Sequence, residues 1–350
     1  IQEILDLMEE AILDYFLISD PQSIAYCTGY YNYPHERMFV FMISKHGNHT
    51  LFMNDLFYLE HDLDVNIVWH KDGQDAIQTI VDEMHFPGRI GIDKNWASHF
   101  LLDLMKKLPD AKYINASPCV DLVRMKKDLQ EQVLMIESSK INDAVMEEII
   151  PFIQEGVTEK QLAKKLDELF FNHHSTCYGA IVAFGKNAAD PHHENDDTPL
   201  RKGDCVLIDM GCVYKGYCSD MTRTFFYEGI LEEEIKIYEI VKKANEAAEA
   251  MIKPGVKLSD IDKCARKVIS DEGYGKYFTH RLGHFIGRDV HEYGDVSSVN
   301  EMEVEEGMIF SIEPGIYLEG NFGVSVEDLV LVTKDRCQVL NSFTKDIYII

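Results

Sequence analysis

The sequence predicts an α+β protein of two domains: a smaller α/β domain with a mixed sheet over residues 1–120 and a larger α+β domain over residues 121–350. Three observations carry this. The length of 350 residues is more than twice a typical domain. Strand-like runs alternate with helical patterns through the first third, as in a sheet covered by helices. Past Ser117–Pro118 a long helical stretch gives way to strands, which puts a boundary near residues 118–122.

The elements follow in order. IQEILDLMEE at the start has an amphipathic helical pattern and lacks the basic and apolar regions of a signal peptide. Because the sequence begins at Ile1 rather than Met, a few leading residues or a processed leader are expected to be missing from it. Asp14–Ser19, Met38–Ser44, Thr50–Met53, Val65–His70 and Arg89–Asp93 read as strands. Asn54–Leu63, Gln74–Met84 and Ala97–Leu108 read as helices. From Asp121 to about Phe171 the pattern is helical, broken at Pro151 and at Gly156–Thr158, where Thr158 and Gln161 form a capping-box start. Strands resume with AIVAFG and with Cys205–Tyr227. Glu232–Ile252 and Leu258–Glu272, the latter closed by Gly273, are helices, and the last stretch returns to strand.

Composition narrows the function. With 46% hydrophobic and 27% charged residues the chain is globular rather than disordered. A net charge of −26 disfavours nucleic-acid and anionic membrane partners, and no apolar run has the length of a membrane span. The eight cysteines show no CxxC spacing, so they read as scattered thiols of a reducing, cytoplasmic compartment. No GxGxxG follows the first strand and no GxxxxGK[ST] occurs, which takes the main support from dinucleotide and P-loop readings.

Two acid pairs stand out. Asp209 and Asp220 sit in otherwise apolar or neutral runs on either side of a turn at Tyr214–Lys215–Gly216. Their numbers sum to an odd value, so any even-length hairpin loop brings them to one face, opposed or one diagonal apart. Two carboxylates on a partly buried face repel and lose hydration, so either one is protonated or a cation lies between them. Glu313 and Glu327 repeat the pattern around a turn at Glu319–Gly323, with an even sum that calls for an odd loop. Between the hairpins, His280, His284 and His291 fall within twelve residues, and His192 lies in the loop Asp190–His193. Both acid pairs and one imidazole make five ligands, mostly hard oxygen, suited to Mn²⁺, Co²⁺, Fe²⁺ or Zn²⁺. Four carboxylates balance two divalent cations, and such a centre is hydrolytic: it lowers the pKa of water and polarises a carbonyl.

This pattern resembles the pita-bread metallopeptidases, the group of Xaa-Pro dipeptidase (prolidase), aminopeptidase P and methionine aminopeptidase. The resemblance rests on Asp209, then Asp220, His280–His284, Glu313–Pro314–Gly315 and Val326–Glu327–Asp328, and spans the C-terminal domain. The first 120 residues look like the creatinase-type N-terminal domain, which methionine aminopeptidases usually lack. The resemblance implies two divalent metal ions, Mn²⁺ foremost with Co²⁺ or Zn²⁺ as alternatives, held by Asp209, Asp220, His284, Glu313 and Glu327, with Asp220 and Glu327 bridging. It implies that His192 and His291 contact the substrate carbonyl and the tetrahedral intermediate. His280 matches a pocket histidine, and Glu313 a proton shuttle. Small proline-containing peptides are the implied partners, and a homodimer the implied assembly. The expected activity is that of an Xaa-Pro dipeptidase. Its rivals are an aminopeptidase P acting on longer peptides and a non-catalytic peptide-binding relative.

Three departures from the family pattern carry expectations of their own. Phe285 stands where Gly is common after the ligand histidine, and is expected to narrow the pocket. Ser325 stands where many members have Arg, leaving the ligand network without that cation. Tyr293–Gly294–Asp295 offers no Arg to grip a dipeptide carboxylate, so Arg288 and Arg37 are the candidates for that task. The loop Tyr30–Arg37, rich in aromatics, is expected to help shape the pocket of a partner subunit.

Overall fold

The computed structural model describes all residues, 1–350. The chain divides into two compact units, Ile1–Arg124 and Met125–Ile350, and mixes helices with sheets in an α+β arrangement. No helix is long and apolar enough to cross a membrane.

The first unit runs α1 (Gln2–Glu10), β1 (Tyr15–Ile18), α2 (Pro21–Thr28), β2 (Val40–Ser44), β3 (Thr50–Asn54), β4 (Asn66–His70), α3 (Ala76–Glu83), β5 (Arg89–Ile92), α4 (Ser98–Lys107), β6 (Lys112–Asn115) and α5 (Ser117–Met125). Its six-stranded sheet has the order β4-β3-β2-β1-β5-β6 and is mixed: β1 pairs antiparallel with β2 and parallel with β5. The period of two along β1 divides the core. Phe16 and Ile18 join Ile4, Ile24 and Val120 on one face, while Tyr15 and Leu17 join Ile77, Ile80 and Leu104 on the other.

Two elements differ from the sequence expectation. Residues 55–63 form turns, bends and irregular chain, not a helix. Asn54 ends β3 and its Oδ1 accepts the Leu56 N–H at 3.1 Å, a local turn that competes with helix. Leu56 and Tyr58 are exposed while Phe57 and Leu63 pack against the core, so the residues that are buried do not fall on one helical face. Conversely, α2 was not expected. Its signals are local: Asp20 caps Ser23 N at 2.8 Å, Pro21 occupies the first turn, and Gly29 ends the helix at φ 75°.

The second unit runs α6 (Leu129–Ile149), α7 (Glu159–Asn172), β7 (Thr176–Cys177), β8 (Ile181–Phe184), β9 (Cys205–Met210), β10 (Cys212–Tyr214), β11 (Tyr217–Cys218), β12 (Met221–Phe226), α8 (Glu232–Met251), α9 (Leu258–Asp271), β13 (Gly283–Phe285), β14 (Glu292–Val296), β15 (Ile309–Ile312), β16 (Gly315–Leu318), β17 (Phe322–Ser325), β18 (Asp328–Val332) and β19 (Cys337–Val339). Capping boxes start α6 (Asp128 with Glu131) and α7 (Thr158 with Gln161), and a 3₁₀ turn containing Pro151 separates these helices. Sheet β12-β9-β8 packs against α6 and α7 through Met146, Leu166, Phe170, Phe184 and Phe225. At roughly 1.5–3 kcal/mol for each fully buried large side chain, this layer holds the first acid-bearing hairpin in place. A second sheet, β14-β13-β15-β18-β19, carries the remaining acids and the central histidine.

Candidate metal centre

Strand register brings the first two acids together. Thr222 on β12 lies opposite Asp209 on β9, and the same register continues through Val213 and Cys218 on β10 and β11. The hairpin closes with the two residues Lys215 and Gly216, both at positive φ (49° and 83°), as a tight primed turn requires. The loop is therefore even, and Asp220 lies one diagonal from Asp209 on the same face. Gly211 makes room beside it: a Cβ there would sit 2.0 Å from the Tyr178 hydroxyl. That hydroxyl lies 3.0 Å from Asp220 Oδ1 and 2.8 Å from the Ser219 carbonyl.

The second pair is set by register as well. Ile312 on β15 pairs with Asp328 on β18, so one step further Glu313 faces Glu327. Gly315 and Ser325 continue the same register into β16 and β17, and the hairpin closes with the odd, three-residue loop Glu319–Asn321. Glu327 N donates to the Thr222 carbonyl at 3.1 Å, which joins the two hairpins. Behind them Arg223, 1% exposed, donates from Nη1 to the Glu327 carbonyl at 2.8 Å and from Nη2 to Asp328 Oδ1 at 2.8 Å. Asn245 Nδ2 reaches the carbonyls of Ile312 and Val326 at 3.1 and 3.3 Å.

His284 on β13 completes the cluster. Its Nε2 is 2.8 Å from Glu313 Oε1 and 3.3 Å from Asp220 Oδ2. Its Nδ1 lies 3.1 Å from the Phe285 carbonyl; donation there leaves the Nε2 lone pair of the neutral ring for the site. Asp220, His284 and Glu313 each offer a ligand atom within 4.8 Å of the others. Each glutamate is also held by the serine two residues before it: Ser311 Oγ bonds Glu313 Oε1, and Ser325 Oγ bonds Glu327 Oε1 at 2.8 Å.

The electrostatics describe a site that calls for cations. Burial, and then Asp220, raise Asp209 well above the ordinary carboxylate range; burial, and then Asp209, do the same to Glu327. Burial works against a charged His284, yet Glu313 and Asp220 raise it well above its usual value. Burial likewise works to raise Glu313, but the imidazolium beside it brings the carboxyl down to about 2. Protons thus do the work that cations would do in a set of four carboxylates and one imidazole. That donor set fits hard divalent ions.

The other histidines surround this cluster. His291 is exposed and meets the His284 ring edge-on, 4.3 Å between centroids. His280 is held between the Arg281 carbonyl, 2.7 Å from Nδ1, and the Tyr317 hydroxyl, 3.1 Å from Nε2. Lost hydration lowers the pKa of both rings, at His291 on the side packed against His284, whose charge adds to the effect. His192 is exposed in the loop after a 3₁₀ turn at Gly185–Ala189. Against Ala188 in that turn packs Gly323, where a Cβ would lie 1.9 Å from the carbonyl oxygen.

A second group of possible ligands, Glu159, His193 and Asp196, was not singled out in the sequence. Its only signal there was adjacency to His192 and to the Thr158 cap. Glu159 is fully buried, and its oxygens are occupied by protein donors. Tyr178 and Ser311 carry no signal in the sequence, Tyr178 because it lies far along the chain from Asp220 and Ser311 because a hydroxyl two residues before an acid has no distinctive spacing; Ser325 stands out there only for the Arg it replaces.

Phe285 packs into the core. It is fully buried against Phe310, ring centroids 5.4 Å apart. A bulge between β13 and β14 places Gly294 at φ 102° under the ring, where a Cβ would be 2.7 Å from Phe285 Cδ2. Arg37 is engaged by Asp72 through two bonds of 2.9 Å, and the Arg288 guanidinium lies over the Tyr217 ring at 5.5 Å.

Known proteins share this architecture. The sequence model of metallopeptidase family M24 matches residues 133–334, and that of the creatinase/prolidase N-terminal domain matches residues 1–126. An uncharacterized peptidase of Staphylococcus aureus is 35% identical over 354 residues, covering 99% of each chain. A crystal structure of a dipeptidase from Pyrococcus horikoshii superposes with TM-score 0.93 at 34% identity, covering 100% of this chain and 99% of that one. A prolidase from Thermococcus sibiricus superposes with TM-score 0.94 at 31% identity, covering 99% and 97%. The chain therefore belongs to metallopeptidase family M24, with a creatinase/prolidase N-terminal domain ahead of its peptidase domain.

Proposed function

We propose that this protein hydrolyses Xaa-Pro peptide bonds, foremost in dipeptides, with two divalent cations held by Asp209, Asp220, His284, Glu313 and Glu327. The observation that carries this reading is the convergence of Asp220 and Glu313 on His284 Nε2, at 3.3 and 2.8 Å, from two separate hairpins. Similarity to a named dipeptidase and a named prolidase supports the substrate class. When bound, such cations lower the pKa of water and polarise the scissile carbonyl.

The chain's own groups supply the rest. An Xaa-Pro bond is a tertiary amide without N–H, and its nitrogen must gain a proton before proline leaves. Glu313 carries that proton from the attacking water to the nitrogen. The ring N–H groups of His192 and His291 donate to the carbonyl oxygen as its charge develops. His280, braced by Tyr317, forms a wall of the pocket. The preponderance of carboxylate oxygen favours Mn²⁺, with Co²⁺ and Zn²⁺ as alternatives. All eight cysteines are free thiols, which suits a reducing cytoplasm. The assembly we propose is a homodimer, which light scattering checks.

The test is a panel of Leu-Pro, Leu-Pro-Pro and a proline-free control, assayed after chelation and after restoring each metal. Metal-dependent cleavage of Leu-Pro is expected. Faster cleavage of Leu-Pro-Pro would assign an aminopeptidase instead. Cleavage that survives both chelation and Asp220→Ala would overturn the reading, and metal binding without turnover would leave a peptide-binding relative.

A further inference from the structure

We propose that Glu159 is a positioning residue for His192, acting through His193 and the loop that carries both histidines. The inference rests on the reading above that His192 touches the substrate.

The loop between β8 and β9 contains one short 3₁₀ turn and no strand, so its polar main chain must find partners elsewhere. Glu159 supplies several from a single point. It opens α7 directly after the Thr158 cap, where the helix N-terminus favours a negative charge. Its side chain is fully buried. Oε1 accepts the Phe184 N–H at 2.9 Å and the Asn187 side-chain amide at 2.9 Å. Oε2 accepts the Asp196 N–H at 3.0 Å and meets His193 Nε2 at 2.6 Å. A carboxylate has about four acceptor positions, and these partners fill them. This group is therefore a staple rather than a second metal site.

The partners are spaced along the loop: Phe184 at its entry, Asn187 in the turn, His193 beside His192, and Asp196 on the return. Asn195 adds a second tie, accepting the Val182 N–H at 2.7 Å and donating to the Ala180 carbonyl at 2.7 Å. His192 itself makes only a main-chain bond to Asp190 Oδ1, at 3.0 Å, and its ring is exposed. Nothing local to that ring fixes its position, so the peptide on either side must. On the C-terminal side that anchor is the His193–Glu159 bond. Misplacing a catalytic contact by about 1 Å can cost on the order of 10²-fold in rate.

A double-mutant cycle on Xaa-Pro hydrolysis tests this, using Glu159→Gln, His192→Ala and the double variant, with metal content and Tm recorded for each. Glu159→Gln keeps the shape but presents an amide N–H₂ to donors that need an acceptor. It is expected to lower kcat/KM by roughly 10- to 10²-fold in the parent, and by less than about twofold once His192 is gone, with metal content unchanged. Equal losses in both backgrounds, or no loss in the parent, would overturn the proposal while leaving the role of His192 intact. A silent His192→Ala would instead remove the reading on which the proposal rests. If Glu159→Gln does not fold, His193→Ala takes its place in the same cycle. His193→Gln, which can return a donor toward Glu159, should then recover most of the lost rate; failure of that rescue counts against the staple.

Discussion

The Ser325 hydroxyl donates to Glu327 Oε1 across 2.8 Å, from two residues earlier in the chain. Ser325 is buried, and with its single proton given to Glu327 it cannot also donate to the Pro314 carbonyl 3.2 Å away, so its brace acts on Glu327. Groups that orient ligands in this way are typically worth 10–100-fold in metal affinity or activity. Ser325→Ala is therefore expected to weaken Mn²⁺ binding or lower kcat/KM by about that factor. Titration calorimetry and kinetics on Leu-Pro read both, and an effect below about twofold on each would dismiss the brace.

Metal binding should depend steeply on pH, in a predictable sense. Asp209 and Glu327 have folded-state pKa values raised by burial and by their carboxylate neighbours, and His284 is raised by Glu313 and Asp220. Raised groups stabilise the metal-free fold below their unfolded pKa, about 4 for the acids and about 6.5 for the imidazole. That stabilisation is lost as pH rises through the folded values. Glu313, lowered to about 2, works oppositely: it stabilises above the ordinary carboxylate pKa and loses that only as pH falls toward 2. Above the ordinary carboxylate range the raised groups dominate, so as pH rises the Tm of chelated protein should fall and the gain on adding Mn²⁺ should grow. Loading should also release protons, seen as a buffer-dependent binding enthalpy. A flat Tm difference with no proton release would contradict this account.

Much of the site was legible because strand parity is local arithmetic. Asp209 with Asp220, and Glu313 with Glu327, needed only a period of two and a loop of the right parity, and the loops Lys215–Gly216 and Glu319–Asn321 supply it. Contacts between distant segments were not legible. Nothing near Glu327 says that its N–H meets the Thr222 carbonyl on a strand of the other hairpin. Glu159 precedes its partner His193 by a helix, two strands and a 3₁₀ turn, and reads locally as the acid of a capped helix. In Asn54–Leu63 the failure was the reverse: Phe57 and Leu63 reach the core from an irregular chain while Leu56 and Tyr58 stay in solvent, so the local turn at Asn54 wins over the helical spacing.

Arg223 illustrates a long-range dependence with a measurable cost. It is 1% exposed and bonds the carbonyls of Thr222, Glu327, Phe343 and Thr344 as well as Asp328. Removing one partner of a buried ion pair leaves an uncompensated charge, a loss of about 3–5 kcal/mol. Lys345, 2.8 Å from Asp328 Oδ2, tempers the loss without replacing the carbonyl bonds. Arg223→Ala should destabilise the metal-free protein by about this amount in urea denaturation. It should also weaken metal binding, because the Glu327 carbonyl loses its clamp. A variant of unchanged stability would show the network to be redundant.

Phe285 separates packing from specificity. Its ring fills the space over Gly294 and against Phe310 inside the β13–β15 sheet, while His284 next to it turns toward the carboxylates. Phe285→Ala removes a fully buried ring, which in protein cores costs about 3–5 kcal/mol. If the ring is purely core, the variant should lose that stability yet keep the parent's order of preference across Leu-Pro, Ala-Pro and Phe-Pro. Gly294→Ala attacks the same contact from the other side and also strains a backbone at φ 102°, so it too should lower Tm. A changed rank order in Phe285→Ala, measured with metal saturating, would place the ring at the substrate after all and restore the narrower pocket that its position in the sequence suggested.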